Sequence, residues 1–121
     1  MTLNGIGIDI VENNRIKKLI KNKQFVLRVF SKIEINNSKK IKDKTNYFAK
    51  RFAAKEATWK ALNPLRGDGL FFKEIEILND FNGKPYLLFT GKTKIYIQKK
   101  EKILDSKLNF DISLSDEPPF I

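Results

Sequence analysis

The residues best suited to chemistry in this 121-residue chain are Glu56 and Lys60, a carboxylate and an ammonium one helical turn apart. A second carboxylate, Asp9, sits in a run of glycines and isoleucines. The chain holds no Cys and no His. That removes thiol nucleophiles, Ser-His-Asp hydrolysis and the usual zinc sites, and leaves carboxylates, Lys, Arg, hydroxyls or a hard metal ion held by oxygen. Spaced i and i+4, Glu56 and Lys60 share a helix face, which fits either a surface ion pair or the charged border of a site. Asp9, read alone, is either a solvent-facing strand residue or a helix-start residue.

Around these groups the sequence predicts an α+β domain, with helices packed on a mainly antiparallel sheet and one long central helix. That helix is predicted from Tyr47 to Leu62, with Phe48, Phe52, Trp59 and Leu62 on its core face and Ala49, Ala53, Ala57 and Ala61 on a bare one. The bare face fits close approach by a ligand, by another chain or by this chain's own backbone. Asp43 or Thr45 is expected to cap it, and Pro64 lies just past its end. Before it, Leu3 to Val11 reads as a strand, Glu12 to Lys23 as a short basic helix, and Phe25 to Phe30 as either a buried helical turn or an apolar docking surface. Ser31 to Asp43 is polar and lysine-rich, and Asn36-Asn37-Ser38 is the predicted loop. After it, Gly67 and Gly69 bracket a connection to a strand at Phe71 to Leu78, where Lys73, Ile75 and Ile77 alternate with Phe72, Glu74 and Glu76. A turn at Asn79 to Gly83 leads into an antiparallel strand, Tyr86 to Thr90, entered at Pro85. A helix at Gly91 to Leu104 and a strand at Leu108 to Leu114 follow.

With 41% hydrophobic residues, the expectation is one domain over residues 1–121. No apolar run approaches the ~20 residues that span a bilayer, and the start lacks the regions of a signal peptide. A cytoplasmic protein without membrane contact is therefore expected. The net charge of +10 implies an acidic partner, whether nucleic acid, anionic lipid, acidic protein or phosphorylated small molecule, or else a compositional bias toward Lys, Asn and Ile. Two phosphate-binding patterns fail. After Gly5 and Gly7 the third glycine of a dinucleotide fingerprint would stand at Ile10, and before Gly91-Lys92-Thr93 the upstream P-loop glycine would stand at Tyr86.

Gly5-Ile-Gly-Ile-Asp9-Ile-Val-Glu12, with Arg15 three residues on, resembles the opening motif of the holo-acyl-carrier-protein synthases, small bacterial 4′-phosphopantetheinyl transferases. Phe48-Ala-Lys-Arg-Phe-Ala-Ala-Lys-Glu56-Ala-Thr-Trp-Lys60-Ala resembles their second motif, and Ile75-Glu-Ile77, Asn82-Gly-Lys-Pro85 and Ser113-Leu-Ser115 match further segments. The resemblance implies the fold of those enzymes and transfer of phosphopantetheine from coenzyme A to a serine of apo acyl carrier protein, releasing adenosine 3′,5′-bisphosphate, in fatty acid biosynthesis. It implies Mg²⁺ held by Asp9 and Glu56, with Lys60 on the phosphates. Arg51, Asn82, Gly83, Pro85 and Ser115 are implied contacts of coenzyme A, and Arg15, Phe25 and Arg28 of an acidic carrier protein. It further implies a homotrimer, with active sites shared between chains.

Two departures accompany the match. Many relatives carry Ser-His where this chain has Ser115-Asp116, so no role of that histidine passes to Asp116. Relatives also generally continue for about one more apolar strand beyond Pro118-Pro119, so a C-terminal strand is expected to be missing from this sequence. Two other readings stand beside the resemblance. One is a small basic nucleic-acid-binding module that stacks bases on its Phe and Tyr side chains, and the other is an inactive member of the same family.

Overall fold

The computed structural model of the chain describes residues 11–62 and 70–114. The predicted strand at Leu3 to Val11, except its last residue, falls outside these, as do Pro64, Gly67, Gly69, Ser115, Asp116 and the chain end. Three helices of seven residues open the described fold: α1 (Asn13–Leu19), α2 (Lys23–Val29) and α3 (Lys32–Ser38). The long helix α4 (Lys44–Leu62) follows, then a 3₁₀ turn at Phe72–Glu74, the hairpin strands β1 (Ile75–Asn79) and β2 (Pro85–Phe89), and α5 (Gly91–Leu104).

Local chemistry sets each boundary. Asn22 caps α2, its side chain accepting from the amides of Gln24 and Phe25. Asp43 caps α4 through the Asn46 amide at 3.0 Å, which adds three residues to the predicted start. β1 and β2 pair antiparallel, with Ile75 opposite Phe89 and Asn79 opposite Pro85. The connecting turn is tied by Asp80, whose carboxylate accepts from Asn82 and Lys84, and Gly83 takes the left-handed conformation (φ 85°) that the turn requires.

Two clusters form the core. Ile16, Phe30, Phe48 and Phe52 join α1, α2 and α4 in one, with Phe30 and Phe48 ring centroids 4.7 Å apart. Ala54 packs with Ile75 and Ile77 in the other, which Leu87, Ile112 and Leu114 cover. Helices on an antiparallel hairpin, organised by one long helix, give the expected α+β class.

Four expectations change. Asn36-Asn37-Ser38 is the last turn of α3 and not a loop, because Ser31 and Glu34 form a capping box that starts a helix in that polar stretch. Trp59 is 40% exposed, although Phe48, Phe52 and Leu62 of the same predicted face are buried. The strand predicted from Phe71 begins only at Ile75, after a 3₁₀ turn at Phe72–Glu74, and both of its faces are buried, Glu76 included. Leu108 to Leu114 forms no strand among the described residues. Its alternation survives as side-chain packing, with Ile112 and Leu114 on the hairpin and Phe110 4.7 Å from Phe89, without a hydrogen-bond ladder.

Candidate active site

One stripe of α4 faces a cleft. Asp43, Asn46, Tyr47, Lys50 and Arg51 recur at helical spacing along it, and the hairpin turn supplies Asn79, Gly83, Lys84 and Pro85 from the other side. Ser113 and Leu114 close a third edge. The cleft has a volume of ≈ 590 Å³, enough for a nucleotide-sized ligand.

Arg51 is the cation at its floor and is only 7% exposed. Its guanidinium stacks 3.7 Å from the Tyr47 ring centroid, donates to Asn79 Oδ1 at 2.6 Å and reaches the Tyr47 carbonyl at 3.4 Å. All of these partners are neutral, its Nε has none, and among the described residues no carboxylate pairs with it. Burial pulls the guanidinium below its ordinary value, opposed by Tyr47 and Glu34, yet an arginine keeps its charge. A buried, unneutralised cation beside Lys50 and Lys84 is a ready anion site.

Behind this cleft, α4 is fastened by a buried ion pair. Lys55 Nζ lies 2.7 Å from Glu34 Oε1, and both side chains are fully buried. Burial pushes the Lys55 ammonium down, and Glu34 opposes that shift. Tyr47 links pair and cleft, donating its hydroxyl to the Glu34 carbonyl at 2.7 Å.

The described arrangement is a cleft along the N-terminal half of a long helix, lined by Lys50, Arg51 and Lys84, with Glu56 and Lys60 farther along the same helix. A family model for the 4′-phosphopantetheinyl transferase superfamily matches residues 5–112. A holo-[acyl-carrier-protein] synthase of Pelagibacter ubique is 48% identical over 99% of this chain and 92% of its own length. The chain belongs to the 4′-phosphopantetheinyl transferase superfamily. Solved relatives agree with this placement. The holo-[acyl-carrier-protein] synthase of Neisseria meningitidis superposes with a TM-score of 0.79 at 31% identity, covering 98% of this chain and 93% of that one. The Helicobacter pylori enzyme, solved in complex with coenzyme A, superposes with a TM-score of 0.71 at 31% identity, covering 95% and 92%.

Among the residues singled out from the transferase motifs, Arg51, Gly83 and Pro85 meet in the cleft. Asn82 is exposed in the adjoining turn, its amide held by Asp80. Glu56 is half-buried and Lys60 exposed on α4, beyond the cleft lining. Asp9 and Ser115 lie outside the described residues. Arg15 and Arg28 are exposed on α1 and α2. Phe25 is half-buried and packs on Phe30 and Phe52, at 6.3 and 5.8 Å. Of the alanine row, Ala49 and Ala53 are buried in this chain's own core. Sequence reading missed Lys50, Lys84, Asn46 and Tyr47 as cleft residues, although their spacing from Arg51 and Pro85 carried the signal. It also missed the Glu34 and Lys55 pair, for which only the Ser31-x-x-Glu34 capping pattern gave a hint.

Proposed function

We propose that the chain transfers 4′-phosphopantetheine from coenzyme A to a serine hydroxyl of an apo acyl carrier protein, releasing adenosine 3′,5′-bisphosphate. The observation that carries this reading is the buried Arg51 with neutral partners, set in a cleft with Lys50 and Lys84. Coenzyme A offers that cleft a nucleotide 3′-phosphate and a diphosphate. The backbone at Asn82, Gly83 and Pro85 would flank the nucleotide, with Ser115 as a further contact.

In the transfer, the serine oxygen bonds to the phosphorus carrying pantetheine, and the bond from that phosphorus to the bridging oxygen breaks. The hydroxyl proton passes to a carboxylate or to water, and the negative charge grows on the phosphate oxygen of the departing nucleotide. Positioning and charge neutralisation are what such a reaction needs from a protein. Lys60, one turn beyond Glu56, would meet the growing charge.

Mg²⁺ fits the donor set. With no His or Cys, the chain offers oxygen ligands, and Glu56 is a half-buried carboxylate on α4. No described group of three or more ligating residues exists, which suits an ion that takes one or two carboxylates and completes its shell with phosphate and water. Glu56 and Asp9 would hold it, and when bound it would neutralise diphosphate charge.

Arg15, Phe25 and Arg28 form the proposed carrier surface, and the +10 charge favours an acidic carrier of the fatty acid pathway. A homotrimer with sites shared between chains is proposed as the working assembly. Its support is the pair of apolar side chains, Tyr86 and Leu88, that β2 leaves exposed. Among the described residues no helix is long and apolar enough to cross a membrane, and the proposed location is the cytoplasm.

Incubating apo acyl carrier protein with the chain, coenzyme A and Mg²⁺ tests the assignment by mass spectrometry. A gain of one phosphopantetheine group is expected, and an unmodified carrier would overturn it.

A further inference from the structure

We propose that Lys55 is a positioning residue for Glu56, fixing the rotation of α4 so that the Glu56 carboxylate meets the metal and phosphate end of the site. This rests on the reading of Glu56 as a metal ligand.

The ammonium of Lys55 has three donors and three acceptors: Glu34 Oε1 at 2.7 Å, the Phe72 carbonyl at 2.8 Å and the Ile75 carbonyl at 2.6 Å. These belong to three different elements: α3, the 3₁₀ turn and β1. Glu34 is satisfied just as fully, accepting also from the Ser31 amide at 2.9 Å and the Ile77 amide at 2.9 Å. Both side chains are fully buried. A buried ion pair is a poor source of stability, because desolvation offsets its attraction and apolar side chains of the same volume do as well. What three divergent bonds supply is direction. A helix held by packing alone can turn about its axis until its ridges reseat, whereas one pinned at Lys55 cannot.

Glu56 is the next residue on that helix and inherits its orientation. With helix radius ~5–6 Å including side chains, a rotation of about 20° would move the Glu56 carboxylate by roughly 2 Å. Misplacement by about 1 Å can cost ~100-fold in rate. Arg51 lies one turn earlier on α4, and its bond to Asn79 Oδ1 ties that turn to the hairpin, so losing Lys55 frees the turn that carries Glu56 more than the turn that carries Arg51. Loss of Lys55 therefore separates turnover from coenzyme binding.

The test compares the parent protein with Lys55→Met in carrier modification at varied Mg²⁺, together with calorimetric Mg²⁺ binding in the presence of coenzyme A. Expected for the variant are a half-saturating Mg²⁺ concentration raised about tenfold or more, weaker calorimetric Mg²⁺ binding, kcat lowered about 100-fold, and a KM for coenzyme A within about threefold of the parent. A merely destabilised protein would lose folded fraction, lowering kcat while leaving the half-saturating Mg²⁺ unchanged, and that result overturns the proposal. Should Lys55→Met not fold, Lys55→Met with Glu34→Gln removes both charges together and keeps an acceptor for the Ile77 amide. The same shift in Mg²⁺ requirement is expected there, and a parental value would again overturn the proposal. A parent whose transfer ignores Mg²⁺ would defeat the reading of Glu56 and this inference together. A Mg²⁺-dependent parent with an unaltered variant would defeat the inference alone.

Discussion

The guanidinium of Arg51 lies over the ring of Tyr47, 3.7 Å from its centroid. The ring gives the cation a favourable face without cancelling its charge. With the Asn79 amide holding the other side at 2.6 Å, Arg51 is oriented yet not neutralised, which is what an anion-binding residue needs before its ligand arrives.

Arg51→Met should therefore weaken coenzyme A binding by about 10-fold to 100-fold, the range of one or two lost charge-assisted hydrogen bonds. Arg51→Lys should recover only part of this, because an ammonium cannot both stack on Tyr47 and fork toward Asn79. Calorimetry with adenosine 3′,5′-bisphosphate reads the effect without turnover. Parental affinity in both variants would remove Arg51 from the site.

Glu56→Gln should leave coenzyme A binding near the parental level but lower Mg²⁺-dependent transfer about 1,000-fold or more, because the amide cannot ligate as an anion. Lys60→Ala should lower kcat about 10-fold to 100-fold. Kinetics at varied Mg²⁺ and coenzyme A check both. Full activity in Glu56→Gln would refute its metal role, and unchanged kinetics in Lys60→Ala would remove Lys60.

Much of this was legible in the sequence because it is local. The period of Phe48 and Phe52 announced α4, the Asn82-Gly83 pair announced the hairpin, and the alternation of Leu108, Ile112 and Leu114 announced which side chains turn inward. The misreading of Asn36 to Ser38 was local, since the Ser31 and Glu34 capping pattern stood in the sequence, whereas the other failures are long-range. Nothing near Lys55 says that its partner is Glu34, 21 positions away, and nothing near Glu76 says that its face of β1 is covered. Alternation fixes the faces of a segment but not whether a neighbouring strand completes a ladder, which is why Leu108 to Leu114 packs without pairing. The candidate site was suggested mainly by the motif match, since the spacing of Glu56 and Lys60 alone fits a surface ion pair.

Gly91 is a sharp test of the packing at the start of α5. It holds φ 56°, and a Cβ there would collide with the Glu74 carboxylate, which accepts from the amides of Lys92 and Thr93 and so caps the helix from outside. Gly91→Ala should cost about 1–3 kcal/mol from the left-handed backbone alone, with the displaced cap adding to it. Urea unfolding measures this, and a change under about 0.5 kcal/mol would mean that the Gly91 backbone is not held in the left-handed conformation.

Tyr47 should shape stability at alkaline pH. Burial raises its phenol above 10.0, with Arg51 opposing. The folded chain then keeps a proton that the unfolded chain has lost, so the stabilisation is fully present below pH 10 and is lost as pH rises through the folded value. Tyrosinate absorbance should show an ionisation above pH 10 that Tyr47→Phe deletes, and the same substitution should flatten the fall in stability. An absorbance titration of the folded protein that Tyr47→Phe leaves unchanged above pH 10 would contradict it.

Arg15 and Arg28 project from α1 and α2 into solvent, and Arg15 shares a shallow groove with Lys18 and Leu19. Exposed cations of this kind govern encounter more than final affinity, because their attraction acts across water before contact and is screened by salt. Reversing both, Arg15→Glu with Arg28→Glu, should raise the KM for the acyl carrier protein about tenfold or more at low salt. The same change should leave the KM for coenzyme A within about twofold, since neither residue lines the Arg51 cleft. Raising ionic strength should shrink the difference between parent and variant, because it screens the parent's attraction and the variant's repulsion alike. Initial-rate kinetics for both substrates at two salt concentrations separate the cases. Equal losses for carrier and coenzyme would mean that the reversals disturb α1 and α2 themselves, and a salt-independent loss would assign the effect to direct contact in place of steering.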